Sequence, residues 1–305
     1  MKLEGSFVAL VTPFNIDGSV DFGAFRTLIQ MQGDHGTRAL FFMGTAGESS
    51  VLSVEEKKRL IVETARMKID RIAFFYGCTG VNTDDTIERV KFAKANGADG
   101  AMLTVPVYVS PPESDAEAYF LEVADATDLP LGIYNNASRL QTDMHWTQLL
   151  RIFRHPNYVV HKESTTRAGQ IAHILRAAPD ISVMCDDTPD PGLIVPTMAL
   201  GGHGISNAVG NIAPAEIAAL AAPWKMDTAA SVFRALYLRM LPLLGFTYSA
   251  RSPVAIKSLM RAVGLPAGDL RRPLRNLDAA RVAEGAQIIR ELGLDAKYGY
   301  KLSAT

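Results

Sequence analysis

Short, continuous apolar runs recur along the chain, each followed by a longer stretch whose apolar residues keep helical spacing. Phe7-Val8-Ala9-Leu10-Val11 is the first run, and Asp21 then stands as an N-cap before Phe25, Leu28, Ile29 and Met31. Residues 39–43 form the second, and Ser53 with Glu56 makes a capping box ahead of Leu60, Ile61 and Ala65. Residues 72–76 are the third, with a helix from Thr83. Residues 101–105 are the fourth, followed by Tyr119, Phe120 and Val123 on one helical face. Residues 131–134 and 158–161 are the fifth and sixth, with helices through Trp146, Leu149, Leu150 and Phe153, and through Ile171, Ile174 and Leu175. Residues 181–184 and the weak run Gly204-Ile205-Ser206 complete the series, with helical residues around Ile194 and from Ile217 to Leu220.

Continuous rather than alternating runs are expected of parallel strands covered on both faces. Eight successive strand–helix units predict a closed (β/α)8 TIM barrel, an α/β fold. An open doubly wound sheet would place a glycine-rich phosphate loop after its first strand, where this chain has Thr12-Pro13-Phe14. Beyond Pro223 the beat stops, and the pattern predicts helices alone over 229–244, 253–263 and 278–292, broken by Pro266, Gly268 and Pro273. The predicted division is a catalytic barrel over 1–224 and a C-terminal helical extension over 225–305, the latter without a chemical motif and suited to packing and assembly.

Composition adds exclusions. The 305 residues are 48% hydrophobic and 21% charged, the balance of a globular protein able to bury a large core. Lys+Arg (31) and Asp+Glu (32) leave a net charge of -1, so neither nucleic acid nor an anionic membrane is an expected partner. The N-terminus has no signal-peptide pattern and no run is long and apolar enough to span a bilayer, so a cytoplasmic location is expected. Cys78 and Cys185 read as buried core thiols.

In such barrels chemistry gathers at the C-terminal ends of the strands. Those ends supply Thr12, Gly44-Thr45-Ala46-Gly47-Glu48-Ser49, Tyr108, Tyr134-Asn135-Asn136, Lys162-Glu163, Cys185-Asp186-Asp187 and Ser206-Asn207. Lys162 follows a strand that should be buried, so it is either paired with Glu163 or Asp186, or functional. Burial favours a neutral, nucleophilic amine, the form that condenses with a 2-oxo acid. Tyr134 is either packing or a proton shuttle working through a hydroxyl such as Thr45. The turn at Gly44 could cradle a carboxylate on its backbone N–H groups. His161, Glu163, Asp186, Asp187 and His203 have metal-ligand chemistry, which leaves a metal-dependent aldolase open, and Gly201-Gly202-His203-Gly204 has the look of a phosphate turn.

Five ordered motifs resemble the dihydrodipicolinate synthase / N-acetylneuraminate lyase family: residues 9–14, Gly44-Thr45-Ala46-Gly47-Glu48-Ser49, Tyr134-Asn135, Val160-His161-Lys162-Glu163, and residues 200–204. The resemblance implies a Schiff-base lyase acting on pyruvate or a related 2-oxo acid, with no cofactor and no catalytic metal. Within the family the pattern is nearest to 4-hydroxy-tetrahydrodipicolinate synthases, with 2-keto-3-deoxy sugar-acid aldolases or dehydratases and hydroxyproline-pathway deaminases as alternatives. It implies Lys162 as the imine-forming residue, Tyr134 as proton relay, and Thr45 as link to Tyr108 reaching in from a neighbouring subunit. It further implies that Gly44 and Ala46, with the Thr45 backbone, hold the keto-acid carboxylate, that Arg139 grips the carboxylate of the second substrate, and that Asn136 and Ser206 complete the substrate pocket. A homo-oligomer, dimer or tetramer, follows from the same resemblance. This chain departs from the family pattern at Ala46, Asn136, Ala137, Leu140-Gln141, Val107 and Cys185, which puts lysine feedback and the second substrate in doubt.

Overall fold

The computed structural model describes residues 1–224 and 228–302. Eight parallel strands close into a barrel in chain order. They are β1 (Gly5–Ala9), β2 (Ala39–Phe42), β3 (Ala73–Gly77), β4 (Gly100–Leu103), β5 (Leu131–Asn135), β6 (Tyr158–Glu163), β7 (Ser182–Asp186) and β8 (Gly204–Asn207). β8 returns to β1 with Phe7 opposite Ser206, which closes the ring. The predicted units are all present. Asp21 caps its helix through a 2.9 Å bond from the Ala24 N–H, and the Ser53–Glu56 capping box forms with both bonds in place.

The first strand begins and ends earlier than its apolar run. The Val11 N–H is taken by the Asn211 side chain at 3.1 Å rather than by a neighbouring strand, so Leu10 and Val11 belong to a loop that is buried all the same. The extension contains helices Thr228–Tyr248, Val254–Ala262, Ala279–Glu291 and Leu294–Tyr298, close to the predicted ranges with one short helix added. No helix among the described residues is long and apolar enough to cross a membrane.

Inside the barrel Phe7, Phe41, Phe75, Met102, Val160 and Met184 fill the bore. Glycines admit the larger rings and thioethers: a Cβ on Gly100 would lie 2.2 Å from the Phe75 ring, and one on Gly132 would lie 2.2 Å from Val160 and 2.3 Å from the Met102 sulfur. The second, larger layer packs between the strands and the surrounding helices.

One irregularity sets the phase of the site. Leu131 pairs with Tyr158, yet Gly132 pairs with Val160, so Val159 is a bulge residue. Tyr158 faces outward, its hydroxyl donating to the Phe120 carbonyl at 2.6 Å. Strict alternation from Tyr158 would send His161 inward and Lys162 outward. The extra residue reverses this: His161 packs edge-on against Phe153 outside the barrel, while Lys162 and Tyr134, paired in register, point into the bore.

The barrel and the extension are joined by Arg271. Its guanidinium bonds to both carboxylate oxygens of Glu56, to the Val51 carbonyl at 3.0 Å and to the Gly18 carbonyl. That guanidinium holds Glu56 down at about 2, from an ordinary value of 4.5. The folded protein therefore binds the Glu56 proton more weakly than the unfolded chain does. The stabilisation is complete above the ordinary value and is lost as pH falls through it toward the depressed one. We expect Glu56→Gln to be less stable than the parent at about pH 6, and to lose less of its remaining stability on going to about pH 2.5, measured by urea unfolding at both pH values.

Candidate active site

Lys162 stands at the mouth of the barrel, only 6% exposed, with Nζ 4.3 Å from the centre of the Tyr134 ring. Both side chains line a cavity of about 540 Å³ over the C-terminal ends of the strands. The outward neighbours of Lys162 are engaged elsewhere. Glu163 accepts from His161 at 3.0 Å, from Gln170 at 2.5 Å and from the Thr165 N–H at 3.1 Å. Burial alone would raise its carboxyl, but these bonds bring it below the ordinary carboxylate value, so Glu163 is a satisfied anion on the helix side of the sheet and not the partner of Lys162.

The turn after β2 is held in a strained form. Met43 (φ 57°) and Glu48 (φ 52°) are both left-handed without being glycine. Between them, the N–H groups of Thr45 and Ala46 make no hydrogen bond within the chain among the described residues, and both residues line the cavity. Unpaired amides facing a cavity suit a carboxylate. Thr12 clamps the far side of the turn by donating to the Gly47 carbonyl at 2.6 Å. Glu48 is anchored from below by the fully buried Lys257, at 2.5 Å, and by the Arg271 N–H at 2.9 Å. Lys257 sits over the Phe14 ring, 4.2 Å from its centre.

Across the cavity lies a buried polar chain. The Asn136 amide nitrogen is 2.6 Å from the Tyr134 hydroxyl and 3.2 Å from Ser164 Oγ, and Ser164 donates to Asp186 at 2.8 Å. Asp187, next along, faces away from the bore. It accepts from the N–H groups of Ala208 and Val209 and from the Tyr248 hydroxyl. Burial and then the charge of Asp186 push its carboxyl up to about 6 despite those donors. The same burial and the Asp187 charge raise the Tyr248 phenol.

Arg139 is half-buried on the short helix Ala137–Leu140, and Arg251 is exposed on the turn after helix Thr228–Tyr248. Both line the main cavity and an adjoining chamber of about 630 Å³, and neither forms an ion pair among the described residues. The structure thus gathers Lys162, Tyr134, Thr45, Ala46, Asn136 and Arg139 around one cavity, with Gly44 in the adjoining chamber. Tyr108 (φ 78°) stands 97% exposed between Val107 and Val109 and lines neither space in its own chain. Ser206 is fully buried, does not line the cavity, and its hydroxyl has no partner among the described residues.

The metal-ligand set does not assemble: among the described residues no three His, Cys, Asp or Glu side chains converge as a metal site. Strand alternation and the barrel's length separate them, His161 and Glu163 lying outside the sheet and His203 preceding β8 at the opposite end. Cys78 and Cys185 are buried, and burial pushes both thiols up to about 12. The extension was expected to serve packing and assembly and to carry no chemical motif, yet Tyr248, Ser249, Ala250, Arg251 and Ser252 line the cavity. Lys257 carried a readable signal, a lone lysine in a helix whose residues from Val254 to Met260 are all buried. Tyr248 and Arg251 sit in an ordinary polar break and carried none.

A family model for the dihydrodipicolinate synthetase family matches residues 2–292. The chain belongs to that family. It is a class I lyase of the dihydrodipicolinate synthetase family, and similar proteins span almost its whole length. It is 36% identical to a 4-hydroxy-tetrahydrodipicolinate synthase of Moorella thermoacetica, over 94% of this chain and 97% of that protein. A 4-hydroxy-tetrahydrodipicolinate synthase of Ralstonia nicotianae is 33% identical over 91% of this chain and 94% of its own. Among solved structures, the dihydrodipicolinate synthase of Thermotoga maritima superposes with a TM-score of 0.90 at 25% identity, covering 96% of this chain and 100% of that one. The 4-hydroxy-tetrahydrodipicolinate synthase of Methylacidiphilum fumariolicum gives 0.89 at 27%, covering 98% and 99%.

The Glu48–Lys257 pair tests how the turn after β2 is held. Lys257→Ala would leave Glu48 buried without its counter-charge. We expect a loss of about 3–5 kcal/mol in unfolding free energy, read by thermal or denaturant unfolding. A loss under about 1 kcal/mol would show that the turn does not rely on the pair.

Proposed function

We propose that Lys162 forms an imine with pyruvate or a close 2-oxo acid, and that the resulting enamine adds to an aldehyde bearing a carboxylate. The observation that carries this reading is a nearly dry amine at the barrel mouth, stacked on the Tyr134 ring, which shares one cavity with Thr45 and Ala46, whose N–H groups make no hydrogen bond among the described residues. The amine adds to the ketone carbon and water leaves, with the Tyr134 phenol delivering the proton that the departing hydroxyl needs. The imine then draws electrons from the adjacent methyl group, whose proton returns through Tyr134, leaving the nucleophilic enamine. The Thr45 and Ala46 N–H groups hold the keto-acid carboxylate throughout. Arg139, without an ion pair among the described residues, offers its planar fork to the carboxylate of the aldehyde.

Aspartate semialdehyde is the first candidate for that aldehyde, supported by the names of the relatives and by Arg139. The exposed Tyr108 and the chamber next to Thr45 support a homo-oligomer in which Tyr108 of a second copy reaches the chamber that Thr45 and Tyr134 line. Val107 and the missing hydroxyl at Ala46 argue against lysine feedback and leave sugar-acid cleavage, dehydration or deamination as the competing outcomes.

Borohydride added with pyruvate should leave one covalent adduct, on Lys162, seen by peptide mass spectrometry. Lys162→Ala should abolish it, and activity should survive excess chelator. An adduct elsewhere, or activity that disappears with chelator, would overturn the proposal. With aspartate semialdehyde as second substrate, Arg139→Ala should lower kcat/KM by about 2–5 kcal/mol in transition-state binding. An unchanged value, in a screen that also offers 2-keto-3-deoxy acids alone, transfers the assignment to the sugar-acid branch.

A further inference from the structure

We propose that Asn136, Ser164 and Asp186 form a directional hydrogen-bond chain that positions the Tyr134 hydroxyl from within a single subunit, a reading that rests on the imine chemistry proposed for Lys162 and Tyr134. Asn136 was expected to touch substrate. Its hydrogen bonds point to a different task.

The direction of the chain follows from counting protons. Asp186, only 5% exposed, accepts the Thr188 N–H on one carboxylate oxygen at 2.9 Å and meets Ser164 Oγ at 2.8 Å on the other. An ionised carboxylate only accepts, so the single proton of Ser164 goes to Asp186. Ser164 Oγ then has only lone pairs to offer Asn136, 3.2 Å away. The atom of Asn136 at that contact is therefore the amide nitrogen, which has two protons and no lone pair to give. The amide oxygen is occupied on its other side by the Ser138 hydroxyl at 2.8 Å. One amide proton goes to Ser164, and the second goes to Tyr134 Oη at 2.6 Å.

Two consequences follow. Both N–H bonds of Asn136 are committed inside the protein, which leaves no donor for a ligand. Tyr134 accepts from Asn136 and makes no other hydrogen bond among the described residues, so its own proton is free to point into the cavity beside Lys162. The Asp186 and Ser164 links fix the orientation of the amide, so that its second N–H is held on the phenol. The chain needs only residues at the C-terminal ends of three neighbouring strands of one subunit: Asn136 directly after β5, Ser164 directly after β6, and Asp186 at the end of β7. Asn136 and Ser164 are positioning residues, acting on substrate through Tyr134.

Asn136→Asp tests the idea with almost no change of shape, because it replaces the donating amide by an oxygen that only accepts. Pyruvate and borohydride provide a readout that needs no second substrate: the rate at which the Lys162 adduct forms. We expect Asn136→Asp to slow adduct formation at saturating pyruvate by about 10- to 100-fold, with the half-saturating pyruvate concentration within about threefold of the parent. In a Tyr134→Phe background the same substitution should add less than about threefold, because the group it serves is gone. Ser164→Ala should slow the reaction by about 3- to 10-fold, and Ser164→Thr, which keeps the hydroxyl, should recover it. Circular dichroism checks that each variant is folded, and the Ser164 pair carries the test should Asn136→Asp not fold.

An adduct in the parent protein with unchanged rates in both Asn136→Asp and Ser164→Ala overturns this proposal and leaves the proposed function standing. Effects of Asn136→Asp and Tyr134→Phe that multiply in the double variant also overturn it, since Asn136 would then act on substrate directly. No adduct in the parent overturns the proposed function and this inference with it.

Discussion

One extra residue in β6 decides what this barrel presents at its mouth. Side chains alternate along a strand, so a slip of a single position exchanges the inner and outer sets completely. The bulge at Val159 makes that exchange between Tyr158 and His161. Below it, the strand is in phase with the outer layer through Tyr158; above it, the phase has turned, and the amine of Lys162 enters the bore instead of the imidazole of His161. The bulge needs room, and Gly132 opposite provides it, since any side chain there would strike Val160 and Met102. The imine chemistry proposed for Lys162 and its stack on Tyr134 both presuppose this local defect.

The second constraint runs from the far end of the chain. A lysine with no exposed surface is costly to bury unless its partner is fixed, and Lys257 has Glu48, the Asp269 carbonyl and the Phe14 ring around it. Burial pulls the Lys257 ammonium below its ordinary value while Glu48 opposes the shift. The pair holds Glu48, which is in a left-handed conformation, and so holds the last residue of the turn whose Thr45 and Ala46 line the cavity. The helical extension thus sets the geometry of a loop more than 200 positions away in sequence, besides supplying part of the cavity wall.

The strands and most helices were legible because each depends on its own run of residues. Period and capping are local, and Asp21 and the Ser53–Glu56 box acted as their sequence suggested. The first strand was displaced because Asn211, remote in sequence, competes for a backbone N–H. Within the site, Lys162, Tyr134 and Thr45 could be found because motif and strand end coincide, whereas Arg139, on a short helix, came only from the family resemblance. The direction of their side chains could not, because it rests on a bulge that leaves no mark in a run as uniform as Tyr158-Val159-Val160. The part played by Tyr248 and Arg251 was hidden for a related reason: polar residues at a helix end are ordinary, and only the closure of the barrel brings them over its mouth.

The adjacent carboxylates at the end of β7 show how alternation divides labour. Asp186 and Asp187 are neighbours in sequence and both are buried, an arrangement that opposes charging both. Their side chains leave on opposite faces and meet different donors. Asp187 is drawn into the packing between β8 and the extension by two backbone amides and Tyr248, yet burial and its neighbour still raise it to about 6. Near neutral pH, part of the cost of two adjacent charges therefore falls on the residue outside the bore. Asp186 meets the Ser164 hydroxyl and the Thr188 N–H, and through Ser164 it fixes the Asn136 amide that donates to the phenol. A pair that would be a liability on one face of a strand becomes, across two faces, a structural anchor on one side and the fixed end of a hydrogen-bonded chain on the other.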